Sequence, residues 1–260
     1  MSDDPFVCCE GLLPPYAGLF NFYATLTSVP LLGVPLYSLW YAMLLYNKNN
    51  NNSNNSNNTA RVVCLALLLW LVALTGIFCT NLWQHMVGGW FAFRLHEIMA
   101  AVQALCLAGL LNALRRRAGQ SWTLPAHVGL ATAATASAAV MATTLLRPDW
   151  HERTYEMVQK LTAPLIVWTM GRLARTDARA WGFFLRSCVG MCLTHAVVTA
   201  EPHLCGLGVS LLYHALVDHA CVWMMFGGVA QNAVRLVEIS CEKKNAVRLV
   251  EISCEKKSEE

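Results

Sequence analysis

Residues 60–117 read ARVVCLALLLWLVALTGIFCTNLWQHMVGGWFAFRLHEIMAAVQALCLAGLLNALRRR. Two apolar blocks, 61–87 and 90–114, are separated by Gly88-Gly89 and closed by Arg115-Arg116-Arg117. A bilayer core about 30 Å thick needs about 20 apolar residues in helical form, and each block is longer than that. Within lipid a lone segment must satisfy its own backbone N–H and C=O groups, so each block is expected to be a helix. The glycine pair supplies a tight turn, and the arginines mark a return to water. The stretch predicts a transmembrane helical hairpin.

Working outward from the hairpin, five more segments qualify, giving spans at roughly 17–46, 61–87, 90–114, 122–146, 154–174, 180–200 and 204–229. The remaining breaks are an Asn-rich tract, Arg147-Pro148-Asp149, Arg172 to Arg179, and Glu201-Pro202. Pro30 and Pro35 predict a kinked or interfacial start to the first span. Composition agrees: 56% of the 260 residues are apolar and 13% are charged, against about 25% charged in an average globular chain. That balance excludes an ordinary cytosolic enzyme, a disordered chain and a nucleic-acid binder. The expected fold class is all-α, a polytopic seven-transmembrane helix bundle.

Lys and Arg set the orientation. Lys48 and Arg61, Arg115–Arg117, and Arg172, Arg175 and Arg179 fall in the first, third and fifth loops, and Arg235, Lys243 and Lys244 in the tail. The N-terminus is therefore expected to be lumenal or extracellular and the C-terminus cytosolic. This divides the chain into a lumenal segment 1–16, a seven-span domain 17–230 with a cytosolic Asn-rich loop at 47–59, and a cytosolic tail 231–260. Met1–Glu10 is acidic and lacks an apolar core, so no signal peptide is expected. The sequons at Asn51, Asn54 and Asn57 fall in the cytosolic loop and predict no glycans. The tail holds NAVRLVEISCEKK twice, at 232–244 and 245–257, and reads as a dispensable duplication. Of the eleven cysteines, Cys64, Cys79, Cys106, Cys188, Cys192 and Cys221 sit in apolar runs and read as small hydrophobes.

Ionisable side chains inside spans are costly and point to function. The second span ends Asn81-Leu-Trp-Gln-His85, the third opens with Arg94, His96 and Glu97, and the seventh carries His214, Asp218 and His219. Asn81 and His85 share a helix face, as do His214 and Asp218, each pair being four apart. On α-helical geometry His219 points elsewhere. His85, His96 and His214 fall at similar depth in the lumenal half. Two imidazoles and a carboxylate, with one position left open, suit a hydrolytic zinc ion. His127 and His195 have no partner at metal spacing and read as packing residues.

The order of short motifs resembles the alkaline ceramidases, seven-span members of a membrane hydrolase superfamily that includes the progestin and adiponectin receptors. Cys9-Glu10 precedes Phe22-Tyr23-Ala24-Thr25, where the family has Cys-Glu, an aromatic pair and Asn-Thr. His85-Met86 is followed eleven residues on by His96-Glu97, where the family has Asp-Glu. Pro148, His151, Tyr155 and Met157 match a later family pattern, and His214-Ala215-Leu-Val-Asp218 stands where the family has His-Ala-x-x-His. The resemblance covers about residues 9–230.

The resemblance implies zinc held by His85, His214 and Asp218, with His96 as the proton acceptor and Asn81 in place of the family's serine as the oxyanion donor. His and Asp have in effect exchanged places, and both remain chemically competent in their new roles. The family's calcium site keeps only Glu10 as a carboxylate, with Val7, Cys8, Leu12 and Asn21 at the other positions, so calcium is not expected. The family also ties its N-terminal cysteine to the loop before the last span. Cys205 is the matching candidate for a lumenal disulfide with Cys9 or Cys8, though it lies a few residues later than the family's partner.

The implied activity is zinc-dependent hydrolysis of the ceramide amide to a sphingoid base and a fatty acid, in the endoplasmic reticulum or Golgi membrane. The partner is then a membrane lipid, with no nucleic acid and no obligate protein partner. Two other classes compete: a receptor-like lipid binder without catalysis, and a proton-coupled transporter. Zinc stoichiometry near one argues against the transporter, and ceramide turnover separates enzyme from binder.

Overall fold

The computed structural model describes residues 19, 22–51, 58–120, 123–146, 151–206 and 213–258; the side chains of 201–206, 213–215 and 243–258, among others, lie outside the description. The elements are α1 (Phe22–Ser28), a 3-10 turn (Pro30–Leu32), α2 (Gly33–Asn51), α3 (Asn58–Val87), α4 (Trp90–Arg117), α5 (Ala126–Leu146), α6 (His151–Ala174), α7 (Ala178–Gly206), a π turn (Tyr213–Asp218) and α8 (His219–Ser258). Five stretches are long and apolar enough to cross a membrane: Phe22–Lys48, Ala60–Val87, Phe91–Arg117, Ala126–Thr144 and Leu216–Glu242. Among the described residues α6 and α7 fall below that mark, diluted by residues such as Lys160 and Arg186. Large apolar side chains such as Tyr37, Trp40, Leu161 and Trp168 face outward, which suits lipid and not water. The chain is an all-helical bundle of the multi-pass membrane type.

The hairpin expected at 60–117 forms as α3 and α4. Gly88 and Gly89 take φ of 69° and 85°, a left-handed conformation that glycine adopts without steric strain. The pair runs antiparallel: the buried Trp70 donates from Nε1 to Gln103 Oε1 at 3.0 Å, and Gly76 meets Met99. Trp70, Leu67, Leu71, Leu74, Phe78 and Leu110 are fully or almost fully buried and form the centre of the core.

α7 and α8 form a second antiparallel pair held by glycines. A Cβ on Gly190 would lie 2.5 Å from the Met225 nitrogen, and one on Gly228 would lie 2.7 Å from the Ser187 nitrogen. Such close backbone approach is how small residues associate helices where lipid offers no hydrophobic drive.

One boundary follows the expected kink and two differ from expectation. Pro30, at the start of the 3-10 turn, separates α1 from α2, because proline has no N–H for the helical ladder. Pro35 falls in the first turn of α2, where that missing donor is tolerated. α7 continues to Gly206 through Glu201, Pro202 and His203, which had been expected to form the turn. α8 passes the boundary expected at 230 without a break. Asn232, Ala233 and Val237 are fully buried, and Asn232 donates to the Ala180 carbonyl at 2.9 Å. Within the first copy of the repeat, Asn232, Ala233, Leu236, Val237 and Cys241 pack against the bundle. Its charges misled because Arg235 and Glu238 are paired inside the bundle (2.9 Å from Arg235 to Asp177, 3.2 Å to Glu238).

Candidate functional site

Near the Gly88-Gly89 turn, α1, α3 and the start of α8 converge on a set of polar side chains. His85, one turn from Asn81 on the same face of α3, is 3% exposed. Its ring meets that of His219 edge to face, with centroids 5.3 Å apart and planes at 62°. His219 is 5% exposed and is the first residue of α8. Its Nδ1 lies 2.7 Å from Thr27 Oγ1 on α1. The Thr27 hydroxyl lies 2.9 Å from the Tyr23 carbonyl, where it donates. In the tautomer with its hydrogen on Nδ1, His219 donates to Thr27.

A second contact crosses from α3 to α1. Asn81 donates from Nδ2 to Ser28 Oγ at 3.1 Å, and the buried Ser28 donates to the Ala24 carbonyl at 2.7 Å. Ser28 thus fixes the Asn81 amide while leaving its second N–H. Asp218, 6% exposed, closes the π turn immediately before His219. Trp83 and Phe91, with centroids 6.0 Å apart, flank the turn at this end in the manner of an interfacial aromatic belt.

The expectation that His219 points away is corrected here. It assumed α-helical geometry through 213–219, where residues five apart diverge. The backbone there is a π turn of i→i+5 bonding, and His219, the first residue after it, faces His85. No side-chain pattern in the sequence announces that turn. Thr27 and Ser28, which no motif singled out, enter for the same reason: α1 is a separate short helix laid across α3 and α8.

His96 occupies a different position. Its Nδ1 lies 3.3 Å from the Ile77 carbonyl and 3.5 Å from Thr80 Oγ1, which places it between α3 and α4. Ile77 and Thr80 precede His85 by two turns and one turn of α3, roughly 7–12 Å along the axis at about 1.5 Å per residue. Arg94 and Glu97 form an ion pair at 3.2 Å. His214 is placed within the π turn, but its side chain lies outside the description, as does that of Cys205; Cys8, Cys9 and Glu10 lie outside the described residues. Among the described residues, no group of three or more His, Cys, Asp or Glu side chains gathers at metal-binding spacing.

At the opposite end of the bundle a charged network joins three elements. Arg235 on α8 donates to Asp177 from Nη2 at 2.9 Å and to Glu238 from Nη1 at 3.2 Å. Tyr41 on α2 donates to Glu238, and Arg117 reaches the Ser240 carbonyl at 2.8 Å. Asp177 also accepts from the Ala180 backbone at 2.9 Å, capping the first turn of α7. The Arg235 guanidinium, followed by that backbone N–H, lowers the Asp177 carboxyl to about 2. An Asp three residues before an apolar helical run was the available signal for the cap, but not for its partner 58 residues away.

No family model matches this chain, and no curated protein matches it.

Proposed function

We propose that this protein is a zinc-dependent hydrolase that cleaves the amide bond of ceramide within an endoplasmic reticulum or Golgi membrane. The observation that carries the proposal is the polar cluster at one end of an apolar bundle, with His85, His219, Asp218 and Ser28 buried and Asn81 and Thr27 half-buried. Polar groups at membrane depth are costly to retain and gather where chemistry needs them. The reading includes seven spans with the N-terminus lumenal. In support, Arg117, Arg235 and the Asp177 turn meet at one end of the bundle, the end that the positive-inside rule assigns to the cytosol.

The donor chemistry fits zinc: His85 and Asp218 are both buried at the cluster end, and imidazole and carboxylate are ordinary zinc ligands. His85, His214 and Asp218 would hold the ion, which when bound would polarise the amide carbonyl and acidify a water. Asn81, steadied by Ser28, offers its remaining N–H to the oxygen that gains charge as the carbonyl is attacked. His96, the proton acceptor that the resemblance implies, bonds the Ile77 carbonyl one to two turns of α3 away from His85, outside hydrogen-bond reach of a water held there. The apolar helix faces receive the two hydrocarbon chains.

The test is turnover of ceramides of several chain lengths by the purified full chain, with zinc content measured and with and without a chelator. Release of sphingoid base that stops on chelation and returns with zinc is the expected result. One bound zinc without turnover would instead favour a lipid-binding relative. Absence of both removes the metal reading.

A further inference from the structure

We infer that the turn between α6 and α7 is a docking site for an anionic lipid of the cytosolic leaflet whose headgroup carries a phosphate monoester, gripped by Arg172, Arg175 and Arg179. The inference goes beyond the reading above: it uses the orientation given there and none of the zinc chemistry.

Arg172, Arg175 and Arg179 are all exposed, and none of them has a carboxylate partner among the described residues. Other arginines at this end are committed. Arg115 donates to Gln120 Oε1 at 3.1 Å, Arg117 to the Ser240 carbonyl at 2.8 Å, and Arg235 to Asp177 and Glu238. Asp177, the acid of this turn, stands where it could neutralise its neighbours. Instead one of its oxygens accepts from Arg235 at 2.9 Å and the other from the Ala180 backbone at 2.9 Å. The turn keeps positive charge that its own fold does not use.

The positive-inside rule accounts for charge on this turn, but not for the aromatic shelf beneath it. The Arg175 guanidinium lies over the Trp181 ring, 5.7 Å from its centroid. Trp181 stacks on Phe184, with centroids 5.3 Å apart and planes at 28°. Phe184 in turn reaches back to α6, where a Cβ on Gly171 would meet its ring at 3.0 Å. The backbone under the shelf is short and bonded: Thr176 Oγ1 donates to the Leu173 carbonyl at 2.9 Å, and the Trp181 N–H to the Asp177 carbonyl at 2.9 Å. A guanidinium seated on its face leaves the N–H groups along its edge free, and these form the fork that grips two oxygens of one phosphate. Seating it beforehand lowers the ordering cost of binding. Arg172 is three residues from Arg175, the spacing of neighbours on a helix surface, and Arg179 is the second residue of α7. Height favours a lipid over a soluble anion, because tryptophan gathers at headgroup level and anionic lipids populate the cytosolic leaflet. A phosphate monoester carries about −1.5 to −2 near neutral pH, a closer match to this cluster than the single charge of a diester.

The experiment uses the full chain in detergent, which presents the turn whichever way the chain sits in a cell membrane. Thermophoresis measures binding of short-chain phosphatidylinositol 4-phosphate, short-chain phosphatidylserine, inorganic phosphate and hexaglutamate. The phosphatidylinositol phosphate should bind most tightly. Arg172→Gln and Arg179→Gln should each weaken it about fivefold, and the triple Arg→Gln variant about 100-fold. Arg175→Lys, which keeps the charge and loses the fork, should also cost about fivefold. Arg116→Gln, at an exposed arginine of the α4–α5 turn, should stay within about twofold of wild type. Melting temperatures equal to that of the wild type separate lost binding from lost fold. Wild-type affinity in the triple variant, or equal effects of Arg175→Lys and Arg116→Gln, would overturn the inference. So would inorganic phosphate or hexaglutamate binding as tightly as the lipid, which would give the turn to a soluble anion or to an acidic protein.

Discussion

The two ends of this bundle solve the problem of buried polarity in opposite ways. At the Arg235 end, full charges pair with full charges: Asp177 and Glu238 flank one guanidinium, and Tyr41 donates to Glu238. At the His85 end, beside the Arg94–Glu97 ion pair, hydroxyls meet an imidazole and an amide: Thr27 with His219, and Ser28 with Asn81. A network of paired charges reads as an anchor. Imidazole and amide groups gathered by hydroxyls read as a candidate binding site. Helix ends that look alike in composition therefore differ in what they can do.

The strongest way to break this contrast is to truncate one residue at each end. His85→Ala should lower ceramide turnover by about 100-fold or more and remove bound zinc, whereas Arg235→Ala should leave turnover within about threefold. Equal losses in a sphingoid-base release assay would erase the distinction. Next in size is the amide: Asn81→Ala should reduce kcat about 100-fold by removing an oxyanion donor. Ser28→Ala, which only frees that amide, should cost about tenfold. A change midway between the ends sharpens the comparison differently. Gly228→Val puts a side chain where even a Cβ would lie 2.7 Å from the Ser187 nitrogen, and overpacking of this kind costs about 1–3 kcal/mol. Melting in detergent should show that loss together with reduced activity, since α8 carries both ends.

The smallest effect belongs to pH. The Asp177 carboxyl lies at about 2 when folded, below its ordinary 3.8. A lowered folded value means that its stabilisation is complete above about pH 4 and disappears as pH falls toward 2. Asp177→Asn should flatten the melting temperature across that window and leave it unchanged in slope at neutral pH.

What the sequence announced, and what it hid, follows from the range of the forces involved. The hairpin 60–117 was legible because hydrophobic length and a glycine pair are local properties, and its Gly88 and Gly89 are left-handed as required. Asn81 and His85 were legible because α-helical spacing places them on one face. His219 was hidden because its direction depends on a π turn set by packing. Thr27 and Ser28 were hidden because nothing local tells a hydroxyl in an apolar stretch which distant helix it will meet. Arg235 and Glu238 looked water-facing because their neutralising partners lie on other elements.

α8 also joins the two ends mechanically. It runs without a break from His219 past Arg235, sixteen residues or about 24 Å at about 1.5 Å per residue. A continuous helix resists compression along its axis, so it acts as a strut of fixed length. The backbone contacts of Gly190 and Gly228 between α7 and α8 then set the height at which His219 stands beside His85. A slip of α8 along α7 by an ångström would shift the imidazole by the same distance.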